Sequence, residues 1–163
     1  MTVFTASTEA EAVVRATRQE VWDVLKDADL IAELTPFVTG IEDHGDTWVW
    51  SMTTLPVPKT TLSPTFTEAM SFTELEHIDF THAPPSGAQE STGVEGWYDL
   101  EEVEPEGDEE VATRLRTSLT INVDLPLPKV MAPAVQASMK TVIHQMGNRF
   151  SANLLEHLGT TAR

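Results

Sequence analysis

The sequence predicts an α+β fold in which a curved, seven-stranded antiparallel sheet is closed by one long C-terminal helix, with two short helices after the first strand. Three observations predict it. Apolar residues alternate with polar ones in successive segments beyond Pro36, the signature of half-buried strands. A capping box stands near the N-terminus. Apolar residues at helical spacing run from about Val130 to Leu158.

The first segment, Val3 to Ala16, is β-rich and leads into Thr17-Arg18-Gln19-Glu20. Thr17 at the N-cap and Glu20 three residues on form the reciprocal pair that opens a helix. Val21, Trp22, Val24 and Leu25 supply its apolar face. Asp29 is placed to cap a second short helix carrying Leu30, Ile31 and Leu34, and Pro36 ends it, because the residue before proline avoids the helical region.

Phe37–Asp43, the turn His44-Gly45-Asp46 and the strand bearing Trp48, Trp50 and Met52 on one face read as a β-hairpin. The proline-rich stretch Leu55–Pro64 reads as a loop. Phe66, Glu68, Met70 and Phe72 share a face of the next strand, and Ile78, Phe80 and His82 share one in the strand after. Ala83-Pro84-Pro85-Ser86-Gly87 breaks the chain before two longer strands, roughly Thr92–Glu104 and Glu110–Asp124, joined by Pro105-Glu106-Gly107-Asp108-Glu109. In the last of these Leu115, Thr117, Leu119, Ile121 and Val123 alternate with Arg114, Arg116, Ser118, Thr120 and Asn122. Val135, Met139, Val142, Ile143, Met146, Phe150, Leu154 and Leu158 then mark the long helix, with Gly159 as its C-cap.

Composition narrows the function. The chain has 163 residues and suits one domain spanning 1–163. It has no cysteine, which removes disulfides, thiolate catalysis and cysteine-bound zinc, and fits a cytoplasmic protein. Ten Lys and Arg stand against 26 Asp and Glu, a formal charge of −16 that repels nucleic acid and anionic membrane surfaces. No apolar run approaches the roughly 20 residues of a membrane-spanning helix, and the N-terminus has no signal-peptide pattern.

Motif chemistry is sparse. None of His44, His77, His82, His144 and His157 is paired at the i, i+4 spacing of a helical zinc site, so no metal and no cofactor is expected. No serine sits in a Gly-x-Ser-x-Gly elbow, and no glycine-rich phosphate loop is present. What remains is the interior. A twisted seven-stranded sheet curls, and one helix underfills the curl, so an apolar cavity is expected between them.

Strand and helix phase place Trp48, Trp50, Phe66, Met70, Phe80, Thr117 and Leu119 on the sheet side of that cavity, and Met139, Ile143, Met146, Gly147 and Phe150 on the helix side. Glu68, His82 and Tyr98 are its polar points and the candidates for acid–base chemistry or for ligand contact. Each also has a structural reading: a carboxylate near an open end, a histidine bonded to backbone, a tyrosine filling core. Gly147 costs a helix about 1 kcal/mol against alanine, so it either leaves room for a ligand or permits close helix–sheet contact. Arg114 and Arg116 are out of phase with the apolar face and are expected outside, paired with the acidic strand Asp99-Leu100-Glu101-Glu102.

The element order resembles the START-like, helix-grip superfamily, also called SRPBCC, which includes polyketide cyclases, coenzyme-Q-binding and lipid-transfer proteins and the birch-pollen-allergen fold. The residues that carry the likeness are Val14–Leu25 at the first strand–helix junction and Gly45-Asp46-Thr47-Trp48 at the hairpin. Gly96-Trp97-Tyr98-Asp99-Leu100-Glu101 and Pro126-Leu127-Pro128 before the long helix complete it. The resemblance implies an apolar pocket for a lipid, polyketide or sterol. Cyclases of the family often place an arginine in the pocket, a place that Arg114 and Arg116 do not fit.

The expectation is a noncatalytic module that binds, and in some settings transports, a hydrophobic small molecule. Two alternatives stand beside it. One is a cyclase- or aromatase-like enzyme using Glu68, His82 or Tyr98. The other is a protein–protein adaptor, which would need a large exposed apolar patch.

Overall fold

The computed structural model describes residues 1–163. Strand β1 (Thr2–Val14) is followed by α1 (Arg18–Leu25) and α2 (Ala28–Leu34). The capping box forms as expected: the Glu20 N–H donates to Thr17 Oγ1 at 3.1 Å, and the Thr17 N–H donates to Glu20 Oε1 at 3.1 Å. The cap of α2 is Asp27 rather than Asp29. Its side chain accepts from the Leu30 N–H at 3.1 Å, because the helix starts at Ala28, two residues earlier than a cap at Asp29 requires, and leaves Asp29 inside the first turn.

Beyond α2 the chain runs β2 (Val38–Asp43), β3 (Thr47–Met52), β4 (Leu55–Val57), β5 (Thr60–Leu62), β6 (Thr65–Thr73), β7 (His77–His82), β8 (Thr92–Glu102) and β9 (Thr113–Leu125). The main sheet has seven strands in the order β1-β9-β8-β7-β6-β3-β2. Each neighbouring pair is antiparallel. This is a meander from β2 to β9 whose last strand returns beside β1. The segment Leu55–Pro64 is not a plain loop. It forms the β4–β5 hairpin, a two-stranded ribbon outside the main sheet, where Pro56 lies opposite Thr61. A short edge ribbon tolerates proline, which a central strand does not.

The long helix α3 spans Ala132–Leu158, preceded by a single 3-10 turn at Lys129–Met131 and with Pro133 in its first turn. At 1.5 Å per residue it is about 40 Å long. Gly159 closes it in the left-handed conformation, φ 66°. The chain then turns back along β1: the Arg163 N–H donates to Val13 O at 2.8 Å, and Arg163 Nη2 reaches Glu109 Oε1 at 2.6 Å. Arg15 holds the same carboxylate at 2.9 Å. Glu109 is pulled down to about 2, first by the Arg163 bond and then by the Glu106 backbone.

The buried side chains form three separate clusters. The largest joins α1 and α2 to the sheet through Val21, Trp22, Leu25, Ile31, Ile78 and Leu100, with Leu154 of α3. A second lies between the first half of α3 and the β1–β9 edge, through Val135, Met139, Ile143, Phe4 and Val123. A third, Phe66, Phe80 and Val94, lies on the middle strands. A domain of this size ordinarily has one contiguous core. Here the three are bridged by partly buried residues, Trp50, Met70 and Tyr98 between the first and third and Leu119 and Ile121 between the second and third, and all five face a cavity.

Candidate functional site

That cavity occupies about 540 Å³ and is lined predominantly by apolar side chains, drawn from all three clusters. Its floor is the concave face of β3, β6, β7, β8 and β9, and its roof is α3 from Ser138 to Leu155. Leu55, Pro56, Val57 and Leu62 of the β4–β5 hairpin cover one end. Leu25 and Ile31 of the short helices close another side. A depression of similar volume, about 560 Å³, lies along α2 and the start of β2, but it is shallow, open and mostly polar.

Fourteen of the fifteen residues that strand and helix phase placed inside do line the cavity. On the sheet they are Trp48, Trp50, Phe66, Glu68, Met70, Phe80, Tyr98, Thr117 and Leu119. On α3 they are Met139, Ile143, Met146, Gly147 and Phe150. Trp50 stacks on Phe66 across β3 and β6, with ring centroids 5.7 Å apart and planes 14° apart. The Phe80 ring lies across β8 at Gly96, where an added Cβ would come within 2.9 Å of the ring and collide with Ser118 O. Gly96 is therefore the residue that lets Phe80 lie down beside Tyr98, at 5.5 Å between rings. Of the two readings of Gly147, close helix–sheet contact fails, since a Cβ there would meet nothing within 4 Å.

His82 is the exception. Its phase with Ile78 and Phe80 pointed inward, but the side chain turns to Glu90, with Nε2 2.9 Å from Glu90 Oε1. Its ring also packs on Gly93, taking the space of a side chain there. Glu90 in turn accepts from the Thr67 N–H at 2.8 Å and the Thr67 hydroxyl at 2.7 Å. Burial pushes the Glu90 carboxyl up, but the Thr67 and His82 bonds outweigh it and hold the group below its ordinary value. This network ties the 83–91 connection to the end of β6. The structure thus separates His82 from Glu68, its partner in strand register.

Glu68 is 2% exposed and forms no ion pair. Burial raises its carboxyl to about 8, opposed weakly by the nearby Trp50 indole, whose N–H stops short of good hydrogen-bond geometry. Tyr98 is raised well above the ordinary tyrosine range, first by burial and then by the charge of Glu68. Trp48 Nε1, Trp50 Nε1 and Thr92 Oγ1 are buried in the same wall without a protein hydrogen bond. On the sheet floor the buried polar groups are thus neutral donors and one acid, Glu68; the other ionisable lining residues, Glu9 and Glu11 of β1 and His144 of α3, lie at the rim.

Sequence phase missed several lining residues. Ala10 and Ala12 of β1 line it, and their small size, in phase with Phe4, Ala6 and Val14, was a usable signal. Thr92 shares the strand phase of Val94 and Tyr98, a signal passed over because it opens the strand, whereas the β4–β5 hairpin gave none, hidden by its prolines. Arg114 and Arg116 lie outside, where Arg114 bonds Glu11 at 2.9 Å and Glu101 at 3.2 Å.

Comparison with known proteins places this geometry. A family model described as polyketide cyclase / dehydrase and lipid transport matches residues 5–153. No curated protein matches the sequence. Among solved structures, a conserved protein of Geobacillus kaustophilus is similar over 99% of both chains, at 17% identity and a TM-score of 0.62. A START superfamily protein of Mycobacterium smegmatis is similar over 93% of this chain and 97% of its own, at 15% identity and a TM-score of 0.62. The Zhui aromatase/cyclase of Streptomyces sp. R1128 is similar over 94% of this chain and 93% of its own, at 14% identity and a TM-score of 0.60. At these identities the likeness concerns the fold.

Proposed function

The chain belongs to the polyketide cyclase / dehydrase and lipid transport family, and from that premise we propose that it binds a hydrophobic small molecule in the cavity between α3 and the sheet without transforming it, in a cytoplasmic setting. One observation carries the reading. The residues that bridge the three buried clusters are only partly buried because they face an apolar space of about 540 Å³, large enough for a ligand of lipid or polyketide size. The polar groups at its floor are suited to orienting such a ligand. With His82 committed to Glu90 and no Lys or Arg in the lining, they make a thin catalytic set.

A second reading is a cyclase-like enzyme. It rests on Glu68, a buried carboxyl that titrates near neutrality beside Tyr98, a pair suited to moving a proton to or from a bound carbonyl compound. The adaptor reading draws less support. The exposed large apolar side chains are few, Met1, Val3, Phe72, Val111 and Val130, they are dispersed along the sequence, and Phe72 is itself packed on Trp22 and Trp48.

Native mass spectrometry of freshly purified protein tests the proposal. The expected result is an apolar adduct, or its uptake from a panel of sterols, quinones and long-chain alcohols. Protein that is free of adduct and takes up none of them would overturn the binding reading. Conversion of a bound poly-ketone, lost in Glu68→Gln, would replace it with the enzyme reading.

A further inference from the structure

The chemistry of the lining sets the charge of what it admits. No lysine or arginine lines the cavity. Arg114 and Arg116 of β9 are engaged by Glu11 and Glu101, and the α3 cations beside lining residues, Lys140 and Arg149, are exposed and outside the lining. The titratable groups along the wall are Glu68 on β6, Tyr98 on β8, Glu9 and Glu11 on β1, and His144 on α3. From β7 the register neighbour of Glu68 is His82, which is turned to Glu90. Glu11 is paired with the arginines, so Glu9 is the uncompensated charge at the β1 edge, and it is negative.

We propose that the cavity selects uncharged amphiphiles ending in a hydroxyl or carbonyl, seated on Glu68 and Tyr98, and rejects those ending in a carboxylate, phosphate or sulfate. An anionic head group taken to the floor would lose its water, find no cation, and lie against a carboxyl side chain. Each of these is unfavourable, since a buried charge is tolerated only with a partner. A neutral oxygen meets the opposite situation. The Tyr98 hydroxyl and the protonated Glu68 carboxyl are donors, and both also accept. The apolar tail then runs along Met139, Ile143 and Met146, flexible or branched side chains that fit an irregular partner. This inference rests on the binding reading above and narrows it.

Displacement of the neutral dye Nile red by matched twelve-carbon ligands tests it. At pH 6.5 dodecan-1-ol is expected to displace the dye at least tenfold more tightly than dodecanoate. Glu68→Gln removes the acid but keeps a hydrogen-bonding side chain, and is expected to narrow that preference without reversing it, since the lining still offers an anion no cation. Raising the pH to 9.5 ionises Glu68 and should weaken dodecanol binding to the native protein severalfold and to Glu68→Gln much less. Dodecanoate binding as tightly as dodecanol would overturn the proposal. Tighter binding of dodecyltrimethylammonium than of dodecanol would also overturn it, making Glu68 a counter-ion. Failure of Nile red and of every ligand to bind would sink the binding reading itself, whereas binding without discrimination sinks only the selectivity.

Discussion

The two ends of this sheet are covered by similar apolar side chains, yet one end is packed and the other is hollow. At the packed end α1 and α2 lie on the sheet, and Val21, Trp22, Val24, Leu25 and Ile78 are each at most 3% exposed. At the hollow end α3 crosses alone, and Met146 and Phe150 stay only partly buried because no layer lies beneath them. Hydrophobicity alone does not distinguish the two. The number of elements that reach each part of the curl does, since close packing needs facing side chains to interdigitate. Short helices of seven and eight residues fill a corner; a 27-residue helix bridges a gap.

The comparison can be broken by truncating one side chain at each end. Ile78→Ala removes a fully buried group that lies outside the cavity lining, and is expected to cost about 4 kcal/mol in thermal or urea unfolding, with ligand affinity little changed. Met146→Ala enlarges a space that already exists and should cost less than about 1 kcal/mol, while shifting ligand affinity. Equal costs at both sites would mean that the hollow end is packed in solution.

The next effect sharpens the contrast through pH. The Glu68 carboxyl is raised from 4.5 to about 8 in the folded chain, so the folded state holds a proton that the unfolded state has lost. Stability is unaffected below about pH 4.5, falls as the pH rises from there to 8, and levels off above. Glu68→Gln is therefore expected to be more stable than the native protein by roughly 2–3 kcal/mol at pH 8.5, since solvation through the cavity keeps the effect below the full linkage value, and by little at pH 4.5. Parallel stability–pH curves for the two proteins would contradict this. The smallest effect is at Gly147, where Gly147→Ala meets no neighbour and should gain about 1 kcal/mol from helix propensity.

Much of this was legible in the sequence, for local reasons. Alternation placed the strands, the Thr17–Glu20 box opened α1, and Gly159 ended α3, each within a few residues. The departures are nonlocal or degenerate. Asp27 and Asp29 are equivalent capping residues, and only the start of the helix at Ala28 decides between them. The prolines at 56, 58 and 64 concealed the β4–β5 ribbon. His82 has the phase of a cavity residue, but Glu90, on a connection that no periodicity describes, holds it elsewhere. Glu68 was readable because its phase agreed with Phe66 and Met70 on the same strand. The charge of its surroundings was not, because the arginine-free lining emerges only when β1, β8 and α3 are brought together.

The most direct test is a crystal structure of the protein with 10-bromodecan-1-ol, read by the anomalous scattering of bromine. A bromine peak is expected beneath α3 among Met139, Ile143 and Met146, with the hydroxyl within hydrogen-bond distance of Glu68 or Tyr98. Native side chains collapsed into the space, with bromine bound only on the outer surface, would contradict it.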